Sequence, residues 1–425
     1  MAGEWRTTSL GDLTVNHDGK RKPVKESDRR PGPYPYYGAS GIVDYVDGYL
    51  FDGDYLLIAE DGENLRTRQT PIAFMACGKS WVNNHAHIVT GNEKADTRFL
   101  MYAIQGSDIS GYLTGAVMPK LTQGNLNKIE LECPPIEEQR AIAHILGTLD
   151  DKIELNRKQN ETLEAMARAL FKSWFVDFDP VRAKMEGRDP GLPKPLADLF
   201  PARLIDSELG EIPEGWEVKA FAETVEIIGG GTPKTSVAEY WNGDVPWFSV
   251  ADAPPPSDVW TLDTEKKITH AGVENSSARV LPVGTTIISA RGTVGRVALV
   301  GVPMTMNQSC YGLRGKLGDR GFFNYFATRQ LVSILQQRTH GSVFDTITRD
   351  TLAGVQVVAP SHAVIKAFEA LVSPMLDRIR EALAESRTLA ALRDTLLPKL
   401  ISGELRVGAA QLEKQNSLKT VFSHP

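Results

Sequence analysis

A heptad-like pattern of apolar positions runs through the middle of the chain. Side chains spaced alternately three and four positions apart give the 3.5-residue period of a coiled-coil seam. The pattern predicts one long helix within residues 136–178, roughly 35 to 40 residues and so about 55 Å long at 1.5 Å per residue. Its seam consists of Ile142, Leu146, Leu149, Ile153, Asn156, Asn160, Leu163, Leu170 and Trp174.

The same pattern returns near the end of the chain and predicts a second long helix within residues 361–408. Pro374 should kink its first turns or delay its start, because proline lacks the amide hydrogen of a helical bond, and Arg393 interrupts the seam. Each helix could pack on its own globular domain, but pairing of the two helices accounts better for such long seams. The second seam consists of Phe368, Val372, Ile379, Ser386, Leu389, Leu396 and Leu400.

The two helices belong to one internal repeat. Residues 114–126 align with residues 340–352 at an offset of 226 positions, and the same offset places Pro134 on Pro360. Each copy is therefore a globular part followed by a helical part. Residues 179–215 are rich in proline and predict an ordered or semi-rigid connector, and residues 409–425 predict a mobile tail.

Strand-like runs separated by glycines indicate that the globular parts are α+β domains. The predicted strands are residues 49–51, 55–59, 81–89, 247–250, 285–289 and 294–300, and the predicted helices are residues 98–104 and 322–337.

Net charge alone argues mildly against a simple nucleic-acid binder, because the chain carries a formal charge of −6 and phosphate binding needs a basic face. Locally the balance reverses: residues 275–349 contain nine basic side chains against two acidic ones. A second basic cluster lies between Lys20 and Arg30. Either cluster could equally be a solvated surface.

The chain lacks the sequence motifs by which enzymes that act on DNA bind cofactors and carry out catalysis. The chain has no phosphate-binding loop and no dinucleotide-binding fingerprint, and its Pro-Pro pairs lack the flanking polar and aromatic residues of an adenine methyltransferase. His85 and His87 could share one face of a strand as metal ligands, but satisfied or surface histidines are favoured. We therefore expect no catalytic residue, no metal site and no cofactor bound by this chain.

Cysteine usage and hydropathy point to a cytoplasmic protein. The three cysteines are far apart and lack zinc or redox spacing, which indicates buried or inert thiols. No signal peptide begins the chain and no apolar run approaches 18 residues, so no membrane partner is expected.

Several ordered motifs resemble the specificity subunits of type I restriction-modification systems. Gly230-Gly-Thr-Pro-Lys-Thr-Ser236 with Val245-Pro-Trp247, and Gly292-Thr-Val-Gly-Arg296 with Met306-Asn-Gln308, are similar to that family's target-recognition domain. Trp81-Val-Asn-Asn-His-Ala-His87 is similar to another type of the same domain. The segments at 134–143 and 171–179 resemble the start and end of the family's central helix, and the resemblance spans residues 5–407.

This resemblance implies an α+β fold in which two target-recognition domains, residues 1–135 and 216–360, are separated by a long antiparallel two-helix coiled coil with pseudo-twofold repeat. Such a subunit would read a gapped, bipartite site on double-stranded DNA. The helices would dock modification subunits, two copies by expectation, which bring S-adenosylmethionine. Restriction subunits with ATP and Mg²⁺ could join. A stand-alone DNA-binding or architectural protein is the alternative.

Candidate DNA contacts divide into phosphate ligands and base readers. Lysines, arginines and small hydroxyls near glycines suit phosphates, and Arg291 and Arg296 also suit guanine. Amides have the bidentate geometry for adenine, although structural hydrogen bonds explain the amides equally well. The candidates are Lys20, Arg21, Lys22, Asn83, Asn84, His85, Lys120, Thr232, Lys234, Thr235, Ser236, Arg291, Arg296, Asn307 and Gln308.

Overall fold

A computed structural model of the chain describes residues 4–318, 320–338 and 346–407. It divides into two compact units, residues 1–152 with 388–425 and residues 153–387. Each unit contains a globular α+β part together with a segment from each of two long helices.

Three antiparallel or mixed sheets form the globular part of the first unit. A two-stranded sheet pairs β1 with β10, and two four-stranded sheets follow the orders β2-β9-β6-β7 and β4-β3-β8-β5. The elements are β1 (Arg6–Ser9), α1 (Leu10–Leu13), β2 (Thr14–Asn16), β3 (Pro31–Gly38), β4 (Gly41–Val46), β5 (Phe51–Asp52), β6 (Tyr55–Ala59), α2 (Asn64–Thr67), β7 (Ala73–Ala76), β8 (Lys79–Val82), β9 (Ala86–Gly91), α3 (Thr97–Gly106), α4 (Gln123–Leu126), β10 (Glu130–Cys133) and the first part of α5 (Ile136–Phe175).

The core of the first unit joins its sheets to both long helices. Ile142 and Leu146 on α5 pack with Leu400 near the end of the last helix, and all three are buried. Two ion pairs tie the helix segments together: Arg393 lies 2.8 Å from Asp150, and Arg406 beyond the last helix lies 2.7 Å from the buried Glu138. Glu138 precedes Asp150 in sequence, whereas its partner Arg406 follows Arg393. The two helix segments therefore run antiparallel.

The second unit contains a five-stranded sheet of order β14-β21-β18-β19-β16, a three-stranded sheet of order β17-β15-β20, and the pairs β13-β22 and β11-β12. Its elements are the remainder of α5, then α6 (Asp179–Met185), α7 (Lys194–Ala197), β11 (Leu204–Ser207), β12 (Gly210–Pro213), β13 (Glu217–Ala220), α8 (Phe221–Thr224), β14 (Val225–Gly229), β15 (Trp241–Phe248), β16 (Trp260–Thr261), β17 (Lys267–Ile268), α9 (His270–Glu274), β18 (Thr286–Ser289), β19 (Val297–Val300), β20 (Thr305–Met306), β21 (Cys310–Gly315), α10 (Phe322–Arg338), α11 (Arg349–Ala353), β22 (Gln356–Ala359) and most of α12 (His362–Ile401).

An aromatic cluster holds the second unit together where α5 ends and α12 begins. Trp174 is 1% exposed, and its ring centroid lies 4.9 Å from that of Phe200 and 6.2 Å from that of Phe368. Phe175 lies 4.9 Å from Phe323 on α10. The proline-rich connector contributes Phe200 to this core, which explains why it is ordered.

A polar contact replaces apolar packing midway along the helices. Asn156 is fully buried, and its Nδ2 donates to the Ala382 carbonyl at 3.3 Å and to the Ser386 hydroxyl at 3.1 Å. Ala382 stands 226 positions after Asn156, so this is the point where equivalent residues of the repeat meet. Buried polar residues at seam positions are a known device for fixing helix register.

The predicted repeat, fold class and helix pairing are confirmed. α4, β10 and α5 begin at residues 123, 130 and 136, and α11, β22 and α12 begin 226 positions later at 349, 356 and 362. Both α5 and α12 contain 40 residues. Every predicted seam residue is buried or half-buried. The repeat segment at 340–345 and the tail at 409–425 lie outside the described residues.

Two expectations about the second helix are corrected. α12 begins at His362 and continues through Pro374, so a delayed start is wrong. Val364, Ile365 and Phe368 are fully buried in the first turns, and this burial offsets the proline cost of about 3 kcal/mol. Arg393 does not break the pairing either, because it supplies the ion pair with Asp150.

We expect Trp174→Ala to destabilise the second unit by about 3–5 kcal/mol, since it leaves a cavity among the aromatic rings. Leu155→Ala, at a 59% exposed position of the same helix, is the matched control and should change the free energy of unfolding by no more than about 0.5 kcal/mol. Urea unfolding measures both. Equal midpoints for the two variants would contradict this account of the core.

Candidate nucleic-acid interface

The first unit brings its seven candidate residues onto one connected surface, the first polar patch, with Arg21 at its centre. The guanidinium of Arg21 donates to Glu60 Oε2 at 2.6 Å and to the Ala86 carbonyl at 2.8 Å. It also reaches the Asn84 carbonyl at 3.4 Å. Because Arg21 is half-buried and already paired, its geometry suits holding the turn that presents Lys20 and Lys22. Both of these lysines are exposed.

A buried hydrogen bond between a histidine and an aspartate adjoins the first polar patch. His87 is 1% exposed, with Nδ1 2.6 Å from Asp18 Oδ2 and Nε2 2.7 Å from the Leu121 carbonyl. Burial on its own would raise the pKa of Asp18, but hydrogen bonds from His87 and from the Ile88 amide outweigh it and lower that pKa.

Two further candidates, His85 and Lys120, meet at the edge of the same patch. His85 lies in the turn before β9 with Nδ1 2.9 Å from Asp61, and Asp61 forms an isolated β-bridge with Lys120. The Lys120 ammonium lies 3.3 Å from Glu60. Burial on its own would raise the pKa of Glu60. Interactions with Arg21, His87 and Lys120 outweigh burial and lower that pKa.

The amides of the first patch differ in what they can do. Asn83 is 8% exposed, and its Oδ1 accepts from the backbone amide of His85 at 2.8 Å. This matches the structural role that sequence analysis kept open. Asn84 is exposed beside it. Of the two side chains, Asn84 is therefore placed to reach a ligand.

The second unit gathers its candidates around a glycine-rich segment, which we call the second polar patch. A Cβ on Gly230 would lie 1.9 Å from the Asn307 carbonyl oxygen, and one on Gly231 would lie 2.2 Å from the Ala278 nitrogen. Gly231 N donates to the Met306 carbonyl at 2.9 Å. These glycines are required for close backbone packing, and the Gly231 amide is already bonded within the protein.

Exposed side chains follow these glycines. Thr232 hydrogen-bonds Gln308, which joins the segment to the loop after β20. Lys234, Thr235 and Ser236 are exposed, and the Lys234 carbonyl accepts from Trp241 Nε1 at 3.3 Å. The backbone is thus held while three donor groups remain at the surface.

The two arginines of the second patch flank a fixed turn. Ser289 Oγ accepts from the Arg296 amide at 2.8 Å and donates to the Thr293 carbonyl at 2.6 Å. Both arginine side chains are exposed. The Ala290 amide donates to the Ser309 carbonyl at 2.8 Å, and the Ser309 amide donates to Asn307 Oδ1 at 3.0 Å. The Arg291 turn and the Asn307 loop therefore form one surface.

Sequence reasoning missed the acidic residues that organise the first patch. Asp18, Glu60 and Asp61 lie within a surface proposed for an anion, where carboxylates are not sought, and no spacing signal links them. The metal interpretation of His85 and His87 gains no support, since one is exposed in a turn and the other is buried. Among the described residues, no group of three or more His, Cys, Asp and Glu side chains is arranged to hold a metal ion.

The three cysteines are unpaired thiols, two buried and one exposed. Partial burial, helped by Asp54, raises the pKa of the exposed Cys77 to about 11. This thiol therefore stays protonated at neutral pH, as an inert thiol would. In the part of the chain that the structure describes, no helix combines the length and the apolar character that crossing a membrane requires.

Comparison with known families decides the class of protein. The model of the type I restriction modification DNA specificity domain matches residues 2–165 and 213–363, one match for each copy of the repeat. The chain belongs to this family. It is a DNA sequence-specificity subunit, a non-catalytic component of its restriction-modification system.

Individual relatives agree with this assignment. The specificity subunit of the type I restriction enzyme HindI from Haemophilus influenzae is 29% identical over 329 residues, covering 68% of this chain and 71% of the relative. The MjaIX specificity subunit from Methanocaldococcus jannaschii is 24% identical, and the alignment covers 95% of this chain and 94% of that subunit. The crystal structure of the S subunit from M. genitalium has the same fold, with a TM-score of 0.60 at 15% identity over 94% of this chain and 96% of that one.

We expect Lys234→Ala and Arg296→Ala to weaken DNA binding and to reduce its salt dependence by about one unit of log–log slope each, as loss of a phosphate contact does. Asn84→Ala should instead change base preference in the other half-site, at a cost of about 1–3 kcal/mol. Lys194→Ala, with a side chain 85% exposed in the connector, is the charge-matched control. Fluorescence anisotropy across a salt series and selection from random DNA measure these effects. A base change from Asn84→Ala in the half-site read by residues 216–360 would overturn the assignment of the patches.

Proposed function

We propose that this chain reads a bipartite, gapped site on double-stranded DNA, with residues 1–135 and residues 216–360 as its two target-recognition domains. The observation that carries the proposal is a polar patch on each unit, built from different residues: Asn84, His85 and Lys120 in the first, and Lys234, Arg291 and Arg296 in the second. Two unlike surfaces suit two unlike half-sites.

Both patches have the physical character that nucleic-acid readout needs. Lys20, Lys22, Asn84, Lys234, Arg291 and Arg296 are exposed. The backbone of each patch is fixed by hydrogen bonds, and the first patch also contains the Arg21–Glu60 ion pair. Side chains held on a rigid base lose less conformational entropy on binding. An overall acidic chain can still bind DNA in this way, because only the local field at each patch faces phosphate.

The rest of the surface serves protein partners in this proposal. Modification subunits dock on the long helices and bring S-adenosylmethionine, and restriction subunits with ATP and Mg²⁺ can add to the assembly, all in the cytoplasm. Residues 136–178 and 361–408 are the docking elements. This chain supplies recognition, and the partners supply chemistry.

Exposed apolar side chains at equivalent positions of the repeat support two modification subunits per chain. Met166 on α5 is 51% exposed and Leu392 on α12 is 46% exposed, and they stand 226 positions apart. Single exposed apolar side chains are common on protein surfaces, but exposure at equivalent positions of both copies is what docking of one partner on each copy would require. One such position in each copy gives one docking place in each copy.

We expect the purified chain to transfer no methyl groups to DNA by itself, and to bind two cognate modification subunits. Met166→Glu or Leu392→Glu should leave one bound subunit, and the double variant none, because burying an unpaired carboxylate is costly. Val280→Glu, at a 48% exposed position that is not part of either long helix, is the control. Native mass spectrometry and a methylation assay measure both properties. Methylation by the chain alone, or a fully active one-to-one complex, would contradict the proposal.

A further inference from the structure

A closed loop in the first unit presents two apolar side chains to solvent. Thr114 and Lys120 exchange backbone hydrogen bonds of 2.8 and 2.7 Å, which close the loop between them. Gly115 has a φ of +87°, and a Cβ there would lie 2.1 Å from the Met118 carbonyl oxygen. The Pro119 carbonyl accepts from the Gly62 amide at 3.1 Å. The loop is therefore fixed at its base and at one side.

Val117 and Met118 form the tip of this loop. They are 95% and 63% exposed, so neither contributes to the core of the unit. Most exposed apolar side chains need no explanation. Here, however, two adjacent ones stand on a loop whose backbone is held by hydrogen bonds at its base and at one side.

Basic side chains flank the tip. Arg66 donates from its guanidinium to the Gly115 carbonyl at 2.9 Å and remains 43% exposed, with Glu63 3.5 Å away. Lys120 closes the other side, and its side chain is 49% exposed. Through the β-bridge between Lys120 and Asp61 the loop is continuous with the first polar patch. An apolar tip between cations fits a groove whose walls are phosphates and whose floor is bases.

The second copy of the repeat keeps the same character in sequence. Gly115-Ala-Val-Met118 aligns at the 226-residue offset with Gly341-Ser-Val-Phe344. The two globular parts otherwise carry different motifs. Both copies thus have a glycine, a small residue, a valine and a large apolar residue in this order. In the first copy the core does not require the valine or the large apolar residue. Residues 341–344 lie outside the described residues.

We propose that Val117 and Met118 form an apolar wedge that enters a groove of the target DNA and partly unstacks a base step, while Arg66 and Lys120 contact the flanking phosphates. Apolar wedges of this size are used by DNA-binding proteins to kink a duplex. The inference rests on the proposed DNA-reading function, and it adds a contact that acts through base stacking rather than hydrogen bonding.

The test uses the full chain assembled with its modification subunits on its own target site, with 2-aminopurine placed at successive positions of the half-site read by residues 1–135. Met118→Gln and Val117→Thr keep side-chain size and charge but make the tip polar. Val15→Ala, at a 48% exposed position of β2, is the control. Anisotropy gives affinity, 2-aminopurine fluorescence reports unstacking, and native mass spectrometry reports subunit stoichiometry.

The wild-type assembly should brighten 2-aminopurine at one step, and Met118→Gln should abolish that signal and weaken specific binding about tenfold, the loss expected for one buried side chain of this size. Unchanged affinity and fluorescence in Met118→Gln would overturn the wedge. Loss of a modification subunit, with normal DNA binding by the assemblies that remain, would assign the loop to a protein interface and also overturn it. If the wild-type assembly binds no specific DNA, the proposed function itself fails, which is a distinguishable outcome.

Discussion

Antiparallel pairing of two 40-residue helices is the constraint on which both units of the chain depend. Neither unit has a complete core without it, because each core includes side chains from both α5 and α12. The seam is apolar in each unit and polar at Asn156, where the amide bonds Ala382 and Ser386. Apolar burial supplies the free energy, and this polar contact favours one register over its neighbours.

In the candidate interfaces some charged side chains pair with one another within the protein, and others remain exposed and can contact a ligand. Arg21 pairs with Asp18 and Glu60, and Asp18 also contacts the buried His87, so these side chains hold the surface of the first unit in place. Lys20, Lys22 and Asn84 stay exposed beside them. In the second unit glycines and serine hydroxyls fix the backbone instead, which leaves Arg291, Arg296 and Lys234 at the surface. Different means thus produce a rigid polar surface in each copy.

The helices and the repeat were predictable from sequence, because a long seam requires an apolar side chain at a regular spacing along the whole helix. Strands with alternating or continuous apolar residues, such as β6 and β18, were also recognisable. The role of Arg21 was not, since its partner Glu60 is 39 positions away and no local pattern joins them. Likewise a proline inside α12 is tolerated only because tertiary burial of Phe368 and its neighbours outweighs a local preference. Contacts that are distant in sequence therefore set the limit of the sequence analysis.

Mapping of methylated adenines in DNA from cells that express this chain with its modification subunit tests the central claim most directly. The account predicts one gapped motif with a methylated adenine in each half, and predicts that replacing residues 1–135 with those of a relative changes one half of the motif and leaves the other intact. Methylation without a bipartite motif, or a change of both halves after that replacement, would contradict it.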